Sequence, residues 1–472
     1  MKKNIYIMIC FLLSAGLTSC NDWLDVKPKT EQSLEEMFSK QQGFQDVLTG
    51  SYLKFKGDQL YGKHLTFGNI EYLAQHWEWD KETTGGELSR YNYKSQYAEN
   101  AMSAIFGESY HVIVELNMML QHIDEDKGLF ERGMYEIIKG EALAMRAYCH
   151  LDLLRLFGPM PTKVDGKAIL PYVTEASLEY HPHLPYNKFV TLLEKDLKDA
   201  EELLKDTDPI LDKKRGMGLS VSASNFLKDR SLRLNYYAVK ALQARFYLWV
   251  GGSENKSKAL TCAKEVIEAV NADEKPIYKL ANLDAIAEED FTLSSEHIFA
   301  IYDFKLFDKA KNNFTGTVVY KKDEANVKND LFDAGTTDIR LTLWKEEVSE
   351  TNQAKSFTIR KYIQPEEKAL NQIPMLRLSE MYFIAMECGT LDQANELYNE
   401  FCIQRDVTPV TIKNNTQLDE ILLNEYNREF YAEGQMFYMY KRKAVKRILW
   451  SLDEGSEETY VVPLPKKEVS YN

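Results

Sequence analysis

The fold of this chain is decided by the stretch Gly140-Glu-Ala-Leu-Ala-Met-Arg-Ala-Tyr-Cys-His-Leu-Asp-Leu-Leu-Arg-Leu-Phe-Gly-Pro-Met-Pro-Thr162. Apolar residues recur in it at steps of three and four, which predicts one helix with an apolar stripe formed by Leu143, Ala147, Leu151, Leu154 and Phe157. Ala142 and Ala144 favour the helix and allow a neighbouring helix to approach closely. Gly158 predicts a left-handed cap, and Pro159 prevents the helix from continuing.

The order of side chains in residues 144–161 is a second, more specific signal. An Arg-Ala-aromatic run at 146–148 is followed by Leu-x-x-Leu-aromatic-Gly at 153–158 and then by proline. This pattern resembles the signature helix of the SusD/RagB family of surface nutrient-binding lipoproteins. The segment therefore indicates a family as well as a helix.

Other segments resemble landmarks of the same family in the same order, and together they span nearly all of the chain after residue 20. They are Leu24-Asp-Val-Lys-Pro28, Ser33–Phe38, Glu296-His-Ile-Phe299, Asp338-Ile-Arg-Leu341, Pro374–Tyr382, Asn427-Arg-Glu-Phe430, Glu433-Gly-Gln435 and Pro463-Leu-Pro465 with Glu468. One segment departs from the pattern. Residues 436–442 replace the common Arg-Trp-Phe-Asp-Leu-x-Arg, which places the chain in a divergent branch.

The N-terminus has the features of a secretory signal. Lys2 and Lys3 precede an apolar run from Ile5 to Ala15, which is too short and too early for a membrane span. The small residues before Cys20 match a lipoprotein cleavage box, so Cys20 is predicted to become the lipidated first residue of the mature protein. The alternative is an ordinary signal peptide with a chance cysteine.

These features predict three parts. They are a signal peptide at residues 1–19, a lipidated cysteine and tether at residues 20–30, and a SusD-like domain at residues 31–472. The net charge of −14 excludes an extended nucleic-acid-binding surface, because neutralising phosphates requires clustered Lys and Arg.

Paired helical patterns occupy residues 101–270 and 375–447 of this domain. The predicted helices are 110–120 with 134–157, 186–204 with 232–249 followed by 259–266, 376–388 with 391–405, and a last long helix over 425–447. Alternating Ala and aromatic positions on such pairs are similar to tetratricopeptide-type repeats. In a stack of such repeats, each helix pair would bury its apolar face against the next pair.

Two regions, 56–100 and 276–374, lack helical periodicity. The first is rich in Gly and aromatic residues, and the second contains short patterns typical of strands at 298–302, 317–320 and 357–362. The predicted fold is therefore mainly α, with tetratricopeptide-like helix pairs packed against a loop-rich subdomain that contains short β strands.

Aromatic residues in the loop-rich regions are the candidate ligand contacts. Neutral sugar rings have apolar faces that pack on exposed aromatic platforms. The candidates are Trp77, Trp79, Tyr91, Tyr93 and Tyr97 in the first region and Trp344 in the second. Trp77 and Trp79 alternate and would face the same side of an extended strand. The alternative is that these residues form a small local core. Trp249 is predicted to lie in the core, and Trp450 at an interface or in packing.

Catalytic and metal-binding patterns are weak. The helical carboxylates Glu141, Glu380, Glu425, Glu429 and Glu433 are interpreted as solvated or ion-paired, and no GxSxG or phosphate-binding loop occurs. The motif His181-Pro182-His183 favours a loop. The remaining cysteines Cys149, Cys262, Cys388 and Cys402 lack metal-ligand spacing and are predicted to be buried free thiols. The sequence predicts no enzyme, no metal and no cofactor.

The resemblance implies a lipid-anchored outer-membrane protein that acts as the lid of a SusC-like TonB-dependent transporter. Such proteins capture glycans outside the cell and deliver them into the barrel, as part of polysaccharide utilisation. The residues leave open a peptide cargo. They also leave open two other classes: a helical-repeat scaffold or adhesin that binds protein, and a surface hydrolase.

Overall fold

The computed structural model of the protein describes residues 34–211, 226–315, 320–333, 335–348, 353 and 355–470. The predicted signal peptide, Cys20 and tether lie outside these residues. Helices dominate the described residues, and the strands are few and short. The prediction of a mainly α fold with short strands is confirmed.

Ten helices of eight or more residues occur in the described ranges. They are α1 Gln41–Phe55, α2 Gln96–His122, α3 Met134–Phe157, α4 Tyr186–Leu204, α5 Tyr236–Val250, α6 Ser253–Ile267, α7 Leu378–Cys388, α8 Leu391–Gln404, α9 Asn415–Glu429 and α10 Met436–Lys443. Shorter α-helices lie at Leu34–Met37, Asn69–Leu73, Thr84–Ser89, Leu283–Ala287, Leu306–Ala310, Glu324–Asn326, Glu457–Tyr460 and Lys466–Ser470.

From α2 to α8 each long helix packs against the next one along the chain. This arrangement matches the predicted helix pairs, each of which buries one helix against the next. Helix α1 packs across α2 and α3, and α9 returns to contact α7. The result is one stack of helices with the loop-rich regions attached to it.

Helix α3 is buried on nearly all sides, with 22 of its 24 residues inside the protein. The predicted apolar stripe is therefore part of a larger buried surface. Buried charged residues of α3 have oppositely charged partners: Arg146 contacts Asp196 at 2.6 Å, and Glu141 contacts Arg230 at 2.5 Å. Gly140 allows close packing, since a Cβ there would lie 2.8 Å from Leu204 Cγ.

The end of α3 differs from the prediction. Gly158 has φ −73° and ψ 174°, so the predicted left-handed cap is wrong. Glycine is needed there for a close approach instead, because a Cβ would lie 2.5 Å from the carbonyl oxygen of Leu154. The Lys441 ammonium of α10 caps the helix by donating to the carbonyl oxygens of Leu156 at 2.9 Å and Gly158 at 2.7 Å.

Three two-stranded antiparallel sheets occur in the described residues. They pair β1 Ala168–Leu170 with β2 Leu184–Pro185, β3 His297–Tyr302 with β6 Gln372–Arg377, and β4 Trp344–Val348 with β5 Lys355–Ile359. The predicted strand at 298–302 is confirmed in β3, and the one at 357–362 is confirmed as far as residue 359. The predicted strand at 317–320 lies almost entirely outside the described residues.

Strand β6 is absent from the sequence-based prediction, which placed residues 376 and 377 in a helix. These residues pair with β3, Leu376 opposite Phe299 and Arg377 opposite His297, and α7 begins only at Leu378. A partner 75 or more residues away in the sequence decides this local structure, so a window of local periodicity does not detect it.

The last predicted helix is broken in two. Helix α9 ends at Glu429 and α10 begins at Met436, with residues 430–435 between them forming what we call the 430–435 bend. Ala432 has φ 63° and Gly434 has φ 72°, which no helix accommodates. A Cβ at Gly434 would lie 2.1 Å from the carbonyl oxygen of Leu65, so the bend requires glycine at this position.

A buried network of charged side chains, which we call the Arg377 cluster, surrounds the end of α9. It consists of Glu296, Asp338, Arg340, Lys361, Arg377, Arg405, Glu425, Glu429 and Glu433. Arg377 contacts Glu429 at 2.7 Å, Glu433 at 2.9 Å and Glu296 at 3.0 Å. Arg405 also contacts Glu429, at 2.7 Å. Because every member has an oppositely charged partner, the network offsets much of the cost of burying it.

The five carboxylates singled out in the sequence are all ion-paired, in line with one of the two predicted states, but all five are buried and none lies on a solvated face. Glu425, Glu429 and Glu433 belong to the Arg377 cluster. Glu141 pairs with arginines 230 and 233, and Glu380 pairs with Arg245 at 2.7 Å.

The four predicted free thiols are confirmed as free, and three of them are buried. Cys388, the last residue of α7, is half-buried instead. Burial raises the pKa of all four thiols, to about 11 for Cys262 and to about 12 for Cys388 and Cys402.

The cap on α3 generates a stability prediction. Burial lowers the pKa of Lys441 well below its usual value, and its two carbonyl contacts are the compensation that the structure provides. Lys441→Met leaves both carbonyls without this donor, so we expect a loss of about 1–3 kcal/mol in the free energy of unfolding. Urea unfolding followed by circular dichroism measures it. The exposed Lys446→Met is the matched control, and equal stability of the two variants would contradict the cap.

Candidate functional site

The two loop-rich regions pack directly against each other. The amide of Glu78 donates to the carbonyl oxygen of Lys321 at 3.0 Å, and the Lys322 ammonium donates to the carbonyl oxygen of Gln75 at 3.0 Å. Aromatic rings fill the space below, with Phe67 against Phe314 at 5.6 Å between ring centroids. The loop-rich regions 56–100 and 276–374 thus form one surface.

We call this surface the joint face. Its exposed and half-buried side chains are Lys56, Asp58, Lys63, Glu78, Trp79, Tyr302, Phe304, Lys305, Lys321 and Trp450. The ring of Trp450 belongs to it because Lys322 lies 4.1 Å above the ring centroid and because the indole N–H donates to Asp330 at 2.8 Å.

Trp77 is core and does not contribute to the joint face. Its side chain is 1% exposed, its indole N–H donates to the carbonyl oxygen of Phe67 at 2.9 Å, and its ring stacks on Tyr320 at 5.3 Å. The segment around it is not a strand, and Trp79 is half-buried. The expectation that Trp77 and Trp79 present one exposed platform is therefore wrong for Trp77.

Two further candidates are also in the core. The Tyr93 hydroxyl donates to the carbonyl oxygen of Thr459 at 2.7 Å. Trp344 stacks on Phe357 at 5.7 Å and lies edge-on to Tyr431 at 4.7 Å. Tyr93 and Trp344 were candidates because they lie in irregular segments. Their rings instead belong to the core beneath those segments, which is the alternative that the sequence left open.

The other three candidates reach the surface. Trp79 is half-buried, with the Arg90 guanidinium 5.8 Å from its ring centroid. Tyr91 is half-buried, and its hydroxyl donates to the carbonyl oxygen of Leu73 at 3.1 Å; burial raises its pKa to about 12. Tyr97 is 51% exposed in the first turn of α2. Their role in ligand binding is a prediction.

The structure adds aromatic residues that were not selected from the sequence. Tyr302 and Phe304, at and just after the end of β3, are 48% and 61% exposed. The sequence contained a signal for the exposure of Phe304, because an aromatic residue two positions beyond a short strand has no strand partner to bury it. Trp450 was interpreted as interface or packing, and it is half-buried between Lys322 and Asp330.

An open cavity of about 210 Å³ lies where the two regions meet, between Glu78 and the β4–β5 hairpin. Its lining is mainly charged, and Phe357 supplies its aromatic surface: the lining residues are Glu78, Lys321, Lys322, Asp323, Glu324, Glu346, Lys355, Ser356 and Phe357. Burial lowers the pKa of Lys322 to about 8, although Glu78, Asp323 and Asp330 oppose the shift.

Within the described part of the chain, no group of three or more His, Cys, Asp or Glu residues could hold a metal ion. None of the described helices is long and apolar enough to cross a membrane.

Comparison with known proteins agrees with the motifs. Residues 22–214 match the model of a SusD-like family described as starch-binding and associating with the outer membrane. A SusD superfamily protein from Bacteroides thetaiotaomicron has a similar structure, with a TM-score of 0.69 at 21% identity over 92% of this chain and 98% of that one. A search among curated proteins found no match.

Two Bacteroides vulgatus structures are also similar. One is a SusD superfamily protein with a TM-score of 0.69 at 20% identity, covering 92% of this chain and 97% of that one. The other is a SusD-like carbohydrate binding protein with a TM-score of 0.66 at 17% identity, covering 86% and 84%. These structures show that the protein has the SusD fold. The family model over residues 22–214 agrees with the SusD/RagB resemblance of the signature helix.

The burial of the two tryptophans generates a second prediction. Trp77→Ala removes a fully buried ring and should cost about 3–5 kcal/mol in the free energy of unfolding. Trp79→Ala removes a half-exposed ring and should cost about 1 kcal/mol or less. Urea unfolding of the two variants measures both values. A stability loss of the same size in both would contradict the different burial of these rings.

Proposed function

We propose that this protein is a cell-surface lipoprotein that binds oligo- or polysaccharide and passes it to a SusC-like TonB-dependent outer-membrane transporter. The observation that carries the proposal is the joint face, where Trp79, Trp450, Tyr302 and Phe304 reach solvent. Glu78 and Lys321 of this face line an open polar cavity. The description of the matching family as starch-binding and outer-membrane-associated supports it.

The chemistry of the joint face suits sugars. The apolar face of a pyranose ring packs on an aromatic ring, and its hydroxyl groups need hydrogen-bonding partners at the ring edge. Phe304 and Tyr302 offer ring faces, and the nearby charged groups, Lys56, Lys305 and Asp58, offer donors and acceptors.

Binding without hydrolysis is the activity that the carboxylates favour. A glycoside hydrolase needs two carboxyl groups facing the bound sugar across the scissile bond. The buried carboxylates of this chain are held in ion pairs, with Glu429 and Glu433 both against Arg377. On the joint face, Asp58 pairs with Lys309 at 2.5 Å and Glu78 with Lys321 at 3.7 Å. We therefore propose that the protein is not an enzyme.

The helical stack and the N-terminus complete the proposal. Lipidation at Cys20 would anchor the protein, and the tether up to residue 30 would hold the domain off the membrane. The stack from α2 to α8 is then the surface available to the transporter, which leaves the joint face free for the ligand.

A polysaccharide screen tests the binding function. Affinity electrophoresis of residues 21–472 against neutral and acidic polysaccharides should show retardation, with no release of reducing sugar in parallel assays. Phe304→Ala should weaken the binding at least about tenfold, because a few stacking residues carry most of such an affinity. The control is Tyr180→Ala, which removes an exposed aromatic ring between β1 and β2.

The outcomes separate the three classes of function. Sugar release would favour the hydrolase, and the absence of binding to every polysaccharide would favour the scaffold or adhesin. Retardation that Phe304→Ala leaves unchanged would move the site away from this part of the joint face.

Anchoring is tested separately by Cys20→Ala in the full-length chain. We expect the variant to leave the membrane fraction with its melting temperature unchanged, because the polar sequence of the tether predicts little contribution to the core. Cell fractionation without the transporter measures the first effect and thermal unfolding the second. Recovery of the variant in the membrane fraction would contradict lipidation at Cys20.

A further inference from the structure

One end of the joint face combines exposed aromatic rings with lysines. We call it the Phe304 patch, and it consists of Lys56, Lys63, Tyr302, Phe304 and Lys305. The ammonium groups of Lys56 and Lys305 lie 5.3 Å and 5.5 Å from the ring centroid of Phe304. Both are within cation–π distance, although the ring is 61% exposed.

The lysines of the patch have no counter-charge of their own. Lys56, Lys63 and Lys305 make no ion pair with a carboxylate of the described residues, whereas most lysines on the helical stack do. The two aspartates close by, Asp58 and Asp303, are both held by Lys309, at 2.5 Å and 2.7 Å. The ammonium groups of Lys56 and Lys305 are thus left beside the exposed ring of Phe304, and that of Lys63 lies 5.9 Å from the ring centroid of the buried Tyr320.

The local charge is opposite in sign to that of the whole protein. Residues 56–64 and 303–311 contain five lysines and three aspartates, in a chain whose net charge is −14. The pKa of Lys63 is lowered, mainly by burial and also by Lys309, against the attraction of Asp58. A concentration of positive charge that the protein does not neutralise attracts an anion from outside.

We propose that the Phe304 patch binds an acidic glycan, with a sugar ring on Phe304 or Tyr302 and the carboxylate or sulfate of that sugar at Lys56 and Lys305. This inference rests on the proposed glycan-binding function and narrows its substrate class. A neutral sugar would use the rings and leave the ammonium groups unpaired, and a simple anion would use the ammonium groups and leave the rings bare. An acidic sugar uses both.

Matched pairs of polymers test the charge requirement. Polygalacturonate and its methyl ester differ by the carboxylate, and dextran sulfate and dextran differ by the sulfate. Isothermal titration and affinity electrophoresis of residues 21–472 should show binding of one or both acidic polymers. Binding of each neutral counterpart should be at least about tenfold weaker, and the acidic binding should weaken from 50 to 500 mM NaCl.

A double variant tests whether the acidic group binds at the Phe304 patch. Lys56→Gln with Lys305→Gln removes both charges beside Phe304 and should weaken binding of the acidic polymer at least about tenfold. The control is Lys188→Gln with Lys413→Gln, which removes two exposed lysines elsewhere for the same change in net charge. It should leave the affinity within about twofold. Both variants should keep the melting temperature of the parent, because all four side chains reach solvent.

Each of the other outcomes contradicts either the acidic-glycan inference, its placement at the Phe304 patch, or the proposed function. Binding of neutral polymers with no preference for the acidic ones overturns this inference and leaves the proposed function standing. Binding of acidic polymers that the control variant weakens as much as the Lys56/Lys305 variant overturns the placement at the Phe304 patch. Binding of no polysaccharide overturns the proposed function and the inference with it. Among positive results, the polymer bound identifies carboxylate or sulfate as the acidic group.

Discussion

The contact between Arg377 and Glu429 is the interaction on which the rest of the structure depends. Burial raises the pKa of Glu429, but Arg405, Arg377 and Arg340 lower it, and the net pKa lies well below the usual value. Its folded-state pKa is therefore below its unfolded-state pKa, so the stabilisation is present above the ordinary carboxyl range and is lost as the pH falls. Removing one partner would leave a buried charge unpaired, which costs far more than the pair contributes.

The Arg377 cluster fixes the joint face from below. Lys361 of the cluster donates to the carbonyl oxygen of Tyr431 at 2.9 Å, which holds the 430–435 bend. The bend in turn directs the amides of Ala432 and Gly434 at the carboxylate of Glu71, at 2.9 Å and 2.7 Å. Glu71 lies in the short helix that precedes Trp77 and Trp79. A continuous path of buried polar contacts thus connects the last helices to the base of the candidate binding surface.

The sequence predicted the helical stack because the information for it is local. Helix-forming residues and apolar spacing lie within the segment of each helix, and these signals do not depend on the neighbour that buries it. The failures occurred where a distant part of the chain decides the local structure. The bend at Gly434 depends on Leu65, strand β6 depends on β3, and the burial of Trp77 depends on Tyr320. All of these partners lie outside the short stretch of sequence in which the spacing of apolar residues is evaluated.

The candidate site was predicted only in outline for the same reason. The candidate residues were chosen from the two loop-rich regions for their aromatic content, and the contact between the two regions is a finding of the structure. Aromatic content does not distinguish a ring on the surface from one in the core beneath it. Phe304 differs from Trp77 in its packing, since one side of Phe304 faces solvent and two lysines, and Trp77 is enclosed by other rings.

The thiols of this chain have a practical consequence for spectroscopy. Cys149, Cys262 and Cys402 are buried, and burial raises the pKa of Cys388 to about 12, so these four groups carry almost no thiolate at neutral pH. The thiolate is the form that reacts with maleimides and iodoacetamides. A cysteine introduced on an exposed loop of residues 21–472 would therefore be labelled ahead of the native ones. A fluorophore or spin label can be attached at one chosen position without first removing the native cysteines.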